Sequence, residues 1–301
     1  MSTIQKKKIR IKKKNFTIFI IFIILLVYSL TEISFLVFKA ITTQEKPQQQ
    51  KKIHTKKQKK QKTTINENID YYNPNYKERY KKYKEKNKEL SNEQIIKNVN
   101  MNLDLIPYKD TIKAKNLNTE KILVNKYYYL EEDYIPKNLK EINKQYALSG
   151  MKLVDEAKEA FEDMAKQAKK ENLNIIVMSS YRSYSYQINL YNRYVKSDGK
   201  DKADTYSGRP GHSEHQTGLA IDVYNKKENY TSFEKTKEFD WMQDHAHEYG
   251  FILRFPKDKE DETGYIYESW HYRYVGKEIA KYIKEKDISF EEYYATIIKD
   301  W

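Results

Sequence analysis

Ser213-Glu214-His215-Gln216-Thr217-Gly218-Leu219-Ala220-Ile221-Asp222 is the stretch from which the organisation of this chain is read. A histidine and an aspartate stand seven positions apart, and Gly218 between them lets the chain turn. Asp222 ends a short apolar run, where a strand would hold its carboxylate rigidly. A hydrolytic zinc takes about three protein ligands and keeps one position open. A neutral imidazole and a carboxylate supply two of these, and Ala220 leaves room beside the metal. Taken alone, a satisfied buried His–Asp pair is the more ordinary reading of this spacing.

The second decisive segment is Glu268-Ser269-Trp270-His271. His271 can complete the ligand set, and Glu268 is close enough to serve as general base toward the attacking water. An ideal strand puts positions i and i+3 on opposite faces, so a bulge or twist is expected to re-aim one of the two. Trp270 reads either as a core residue or as a wall that dries the site.

Together, S-x-H-x-x-G-x-A-x-D and E-x-W-H resemble the signature of the VanY and LAS-type zinc carboxypeptidases, which act on peptidoglycan stem peptides. Every fixed letter is present, in order. Ser179 to Ser183 resembles the family's S-x-Y-R-S segment, with Gln187 one helical turn on. Leu123-Val124-Asn125-Lys126 and Leu130, Asp133, Tyr134 and Pro136 are similar to the opening of the VanY domain. The resemblance covers residues 120–275 or so.

The resemblance implies that His215, Asp222 and His271 hold Zn2+. It implies that Glu268 takes a proton from the attacking water and passes it to the leaving amine. Arg182 would stabilise the developing oxyanion, and Ser213 would help hold the substrate's terminal carboxylate. A structural ion pair is the alternative for Arg182. Gln187 is either a substrate-side hydrogen bonder or a helix-surface residue. His54, His212, His245 and His247 match no fixed position and are expected in ordinary surface or supporting roles. The implied activity is hydrolysis of the C-terminal D-Ala-D-Ala bond of stem peptides. The same chemistry would serve an L,D-carboxypeptidase, a D,D-dipeptidase or an endopeptidase. A non-catalytic, zinc-containing wall-binding module is the rival from another class, but it would need neither Glu268 nor Arg182.

The absence of cysteine excludes disulfides, a thiolate nucleophile and Cys-ligated zinc, so any metal must use His, Asp or Glu. The formal charge is +13, and the excess Lys and Arg lie mostly before residue 90. A basic segment, 1–15, precedes an apolar run, 16–40, interrupted only by Glu32 and Lys39. At ~1.5 Å per residue this run could cross a hydrocarbon core of ~30 Å. A single-pass signal anchor with the catalytic domain extracytoplasmic is expected. Cleavage after Ser29, with Val27 at −3, would give a secreted protein instead. Residues 41–95 read as a Lys/Gln-rich linker, either a solvated spacer or a tether to anionic wall polymers. No nucleic-acid partner is expected behind an export signal. Within the linker, 76–90 alternates Lys, Glu and Tyr and could form a solvated helix.

Residues 96–301 are expected to form the catalytic domain. Apolar stripes at helical spacing run from Met151 to Ala168 and along 183–195, 240–249 and 276–286. Ser289 and Glu292 resemble a capping box for a last helix ending at Trp301. Strand-like runs occupy 122–129, 173–178, 220–224, 251–255 and 266–274. The pattern is α+β: a small, mainly antiparallel sheet flanked by helices, as in LAS/VanY-like folds.

Overall fold

The computed structural model describes residues 65–301. The basic segment, the apolar run 16–40 and the Lys-rich stretch up to residue 64 lie outside the described residues. Among the described residues no helix is long and apolar enough to cross a membrane.

In chain order the main helices are α1 (Lys77–Lys86), α2 (Asn92–Asn100), α3 (Asp155–Lys170), α4 (Tyr184–Asp198), α5 (Lys200–Tyr206), α6 (Lys237–His245) and α7 (Lys277–Lys286). The strands are β1 (Ile112–Lys113), β2 (Tyr128–Tyr129), β3 (Leu139–Glu141), β4 (Lys152–Val154), β5 (Ile176–Ser179), β6 (Ala220–Tyr224), β7 (Phe251–Leu253) and β8 (His271–Tyr274). The central sheet has the order β5-β6-β8-β7 and is antiparallel throughout. β1–β2 and β3–β4 form two small two-stranded sheets beside it.

Alternation along the central strands sorts their side chains onto two faces. Ile221, Val223, Phe251, Tyr272 and Tyr274 enter the main core, where they meet Ala157, Phe161, Met164 and Ala165 of α3. Asp155 and Glu156 begin α3 and Lys169 and Lys170 end it, so charge complements the helix dipole at both ends. The opposite face carries Asp222, His271, Arg273 and Ile252. Ile252 packs with Leu123, Val275, Ile279, Ile283 and Phe290 in a second core formed by α7 and the C-terminal segment.

Several expected elements are shorter than the apolar pattern suggests. Within 122–129 only Tyr128–Tyr129 pairs, because the Asn125 side chain accepts from the backbone N–H groups of Tyr127 and Tyr128 and turns the chain. Within 266–274 the strand starts only at His271, after a turn at Ser269 and Trp270. The stripe from Met151 divides, Lys152–Val154 joining β3 before α3 begins. Thr236 caps α6, which is followed by a tight 3-10 turn, Ala246–Tyr249. The C-terminal helix is capped by Ser289 as expected, but passes into a π-turn at Tyr294–Ile298 and stops before Trp301.

Within the stretch read as linker, the described residues 65–95 include α1, the start of α2 and part of a small core. α1 and α2 pack around Ile65, Tyr80, Ile95, Ile96 and Val99. Ser91 and Gln94 form a complete capping box at the start of α2. The helix expected to be solvated therefore has one buried side. Tyr80 is fully buried and donates to Asn100 Oδ1 at 2.7 Å. Tyrosine supplies the apolar surface here, so a segment dense in Lys and Glu can still close a small core. Lys97 pairs with Glu292 at 3.0 Å and ties this unit to the C-terminal segment.

Candidate functional site

Gly218 ends the 3-10 turn Glu214–Thr217 in the left-handed region, at φ +68. A Cβ there would lie 2.9 Å from Leu139 Cδ2, so both the backbone and the available space require glycine. The turn delivers His215, and β6 starts at once and delivers Asp222. Asp222 and His271 are direct cross-strand partners on β6 and β8, so their side chains emerge side by side. Ser179 opposes Asp222 from the other edge, at an irregularity in the β5–β6 register.

Ligand-capable atoms of His215, Asp222 and His271, all buried, lie within 4.8 Å of one another. His215 Nδ1 is 2.7 Å from the Ser180 carbonyl, which can only accept. The proton is thereby held on Nδ1, and Nε2 is left as a buried atom without a hydrogen-bond partner, 3.3 Å from Asp222 Oδ2. On the other side, His271 Nδ1 is 3.0 Å from Asp222 Oδ1. Two imidazoles and a carboxylate converging in this way fit zinc, with the carbonyl behind His215 fixing its tautomer.

Glu268 lies in the turn ahead of β8, its Oε2 3.7 Å from His271 Nδ1. The i, i+3 conflict expected of a continuous strand is resolved by that turn, with His271 N–H donating to the Glu268 carbonyl at 3.3 Å. Arg182 Nη2 donates to Asp222 Oδ2 at 3.2 Å, and Nη1 donates to Gln187 Oε1 at 3.3 Å. Gln187 is buried and donates in turn to the Gly208 carbonyl at 2.7 Å. Its amide thus braces Arg182, and the side chain also lines the cleft. Ser213 lines the same cleft of ≈ 550 Å³. Trp270 both packs on the main core and forms part of the wall, edge-on to Tyr230 at 5.1 Å. Tyr194, Tyr206 and Tyr230 also line the cleft, and no spacing in the sequence marked them. Of the other histidines, His212 borders the cleft but is spent on the Asn125 carbonyl at 2.7 Å.

Burial, together with the Arg182 charge, pushes His215 down to about 4, so its imidazole is neutral at pH 7. Burial opposes ionisation of Asp222, but the two histidines hold it well below the usual carboxylate range. Burial also opposes a charged His271, yet the hydrogen bond to Asp222 and the nearby carboxylate of Glu214 raise it to about 9. For Glu268 burial dominates and pushes the carboxyl up to about 8. A raised carboxyl suits a group that must both take and return a proton near neutral pH.

A ligating His271 nitrogen must be free of its proton. Zinc uptake at pH 7 is therefore expected to release at least one proton from the His271 region, and affinity should climb with pH up to about 9. Calorimetry in buffers of different ionisation enthalpy reads this release directly. Uptake without proton release would contradict the assignment.

Fold and site thus define a zinc peptidase class, and comparison with known proteins gives the family. The family model for VanY, D-alanyl-D-alanine carboxypeptidase, matches residues 150–277. YodJ of Bacillus subtilis is 40% identical over 190 residues, 59% of this chain and 67% of its own length. The LdcB LD-carboxypeptidase superposes with a TM-score of 0.57 at 37% identity, covering 63% of this chain and 92% of that one. A vancomycin-resistance D,D-pentapeptidase VanY in complex with Zn(II) gives 0.51 at 29% identity, covering 58% of this chain and 98% of that one. The chain belongs to the VanY family of zinc carboxypeptidases, and its cofactor is zinc.

Proposed function

We propose that the protein removes the C-terminal D-alanine from peptidoglycan stem peptides by hydrolysing a D-Ala-D-Ala bond. The observation that carries this reading is the convergence of Glu268 and Arg182 on one buried His–Asp–His set inside an open cleft. When bound, zinc supplies a Lewis acid that polarises the scissile carbonyl and lowers the pKa of water. Glu268 accepts the proton of the attacking water and delivers it to the leaving amine nitrogen. Arg182 offers fixed positive charge where the carbonyl oxygen becomes anionic, and the Gln187 strut saves it from reorganising during reaction. Ser213, at the cleft wall beside His215, is in place to donate to the terminal carboxylate. Trp270 and Tyr230 keep water from that side of the site.

A second reading keeps the chemistry and moves the bond. The likeness to the LdcB LD-carboxypeptidase favours an L,D-bond, with tetrapeptide as substrate. Release of alanine from synthetic penta- and tetrapeptide stems separates the two. The D,D reading expects the pentapeptide to be preferred by at least about tenfold in kcat/KM, equivalent to ~1.4 kcal/mol of transition-state binding. Preference for the tetrapeptide would transfer the assignment to the L,D-bond. The basic segment 1–15 directly ahead of the apolar run 16–40 supports an anchored, extracytoplasmic placement, with the linker's lysines available to anionic wall polymers. N-terminal sequencing of the mature protein tests the anchor against cleavage after Ser29.

A further inference from the structure

Glu214 occupies a variable position of the S-x-H-x-x-G-x-A-x-D pattern, yet it is among the most buried charges of the described residues, 4% exposed. One of its oxygens is fully used. Oε1 accepts from Arg254 Nε at 2.8 Å and from Arg273 Nη1 at 3.0 Å. The other oxygen, Oε2, has no hydrogen-bond partner, and neither has His271 Nε2. These two buried orphan atoms face each other at 3.7 Å.

The rest of the network is satisfied and leaves them no other partner. Arg254 makes a two-pronged pair with Glu291, at 2.8 and 2.5 Å. Glu291 also accepts from Asn125 Nδ2 at 3.1 Å. Arg273 spends its remaining donors on the carbonyls of Glu120, Ile122 and Tyr274. Two arginines and two glutamates balance in charge, so the cluster presents a single lone carboxylate oxygen toward His271. A buried acceptor and a buried ring nitrogen each cost free energy when left unpaired, and a proton on Nε2 would serve both once the 3.7 Å gap closes to hydrogen-bonding distance.

We propose that Glu214 is the positioning residue of the metal centre, fixing His271 with its proton on Nε2 so that Nδ1 is presented to zinc. His215 is held by a backbone carbonyl and presents Nε2, whereas His271 is held by this carboxylate and presents the opposite nitrogen. The reach is long. Asn125 and Glu291 both lie outside the matched 150–277, so segments at either end of the domain brace a metal ligand through Glu214.

The inference rests on the zinc reading of the site, and the test keeps the two apart. Zinc affinity of the full chain is measured by competition with a chromophoric chelator, for wild type and Glu214→Gln. Glutamine keeps the shape but loses the charge-assisted acceptor, and a 10–100-fold fall in zinc affinity is expected. If wild type itself binds no zinc, the functional reading fails. If wild type binds and Glu214→Gln binds equally well, only the positioning role is overturned, even where unfolding shows a loss of stability. Long-range 1H–15N spectra of zinc-loaded wild type, labelled at histidine, give a second readout that needs no variant. His271 should carry a slowly exchanging proton on Nε2 and His215 one on Nδ1. A proton on Nδ1 of His271 would overturn the proposal.

Discussion

Glu268→Gln is expected to reduce turnover of a stem peptide by about 10²–10⁴-fold while leaving zinc content unchanged. The glutamine is nearly isosteric and cannot take a proton from water. Glu268 stands 3.7 Å from His271 Nδ1, near the His–Asp–His cluster without being needed to complete it. Its two roles can therefore be separated by measurement. Turnover is followed by released alanine, and metal by elemental analysis of the same preparation. Loss of zinc in Glu268→Gln would make this residue a ligand, and retained turnover would remove it from proton transfer. The carboxyl's upward shift, caused by burial, concerns the site without its metal. A neighbouring dication would pull it back down, toward the ionised form that proton abstraction from water needs.

Arg254→Met is expected to lower unfolding free energy by about 3–5 kcal/mol, the largest stability effect foreseen here. The guanidinium is fully buried and is gripped by Glu214 on one side and Glu291 on the other. Removing it strands Glu291 with only an amide partner and halves the charge balance around Glu214. The cost comes from uncompensated buried charge rather than from lost packing, because methionine fills similar space. Combining Arg254→Met with Glu291→Leu should therefore recover a substantial part of the loss. Chemical denaturation of the single and double variants checks this. A double variant that is destabilised additively would show that the pair matters through shape alone.

The clustering of His215, Asp222 and His271 was legible in the sequence through the resemblance to the family signature, whose fixed letters fall in two short segments. His215 and Asp222 are separated by one glycine-terminated turn and the opening of one strand, and the residues between them announce both. His271 joined them through the E-x-W-H segment, and the pairing of its strand with β6 is what brings it beside Asp222. The buried charge cluster was not legible, since Glu214, Arg254, Arg273 and Glu291 come from a turn, two strand regions and the C-terminal helix. Its trace is local and weak. Arg254 and Arg273 each interrupt a run of strand-forming residues, Phe251-Ile252-Leu253 before one and Tyr272 and Tyr274 around the other. A charge in such a place points to a buried partner without saying which.

The other departures also have single-residue causes. Asn125 bends a run that propensity reads as one strand. Tyr80 carries into a core a helix whose composition reads as solvated. Gln187 on α4 shows no preference in sequence between cleft and surface. Only the Gly208 carbonyl and Arg182, brought together by the fold, assign it the role of a strut. Elements whose side chains face one neighbour could be read, and those whose partners lie far along the chain could not.

The central claim is that one buried zinc, one carboxylate base and one arginine hydrolyse the terminal bond of a stem peptide. Its most direct test is pentapeptide turnover by the full chain, with bound zinc quantified before and after chelation and again on readdition. About one zinc per chain, release of a single terminal D-alanine, loss of activity on chelation and its recovery with zinc are expected. Activity that survives complete removal of the metal, or stoichiometric zinc without any cleavage of penta- or tetrapeptide, would contradict it.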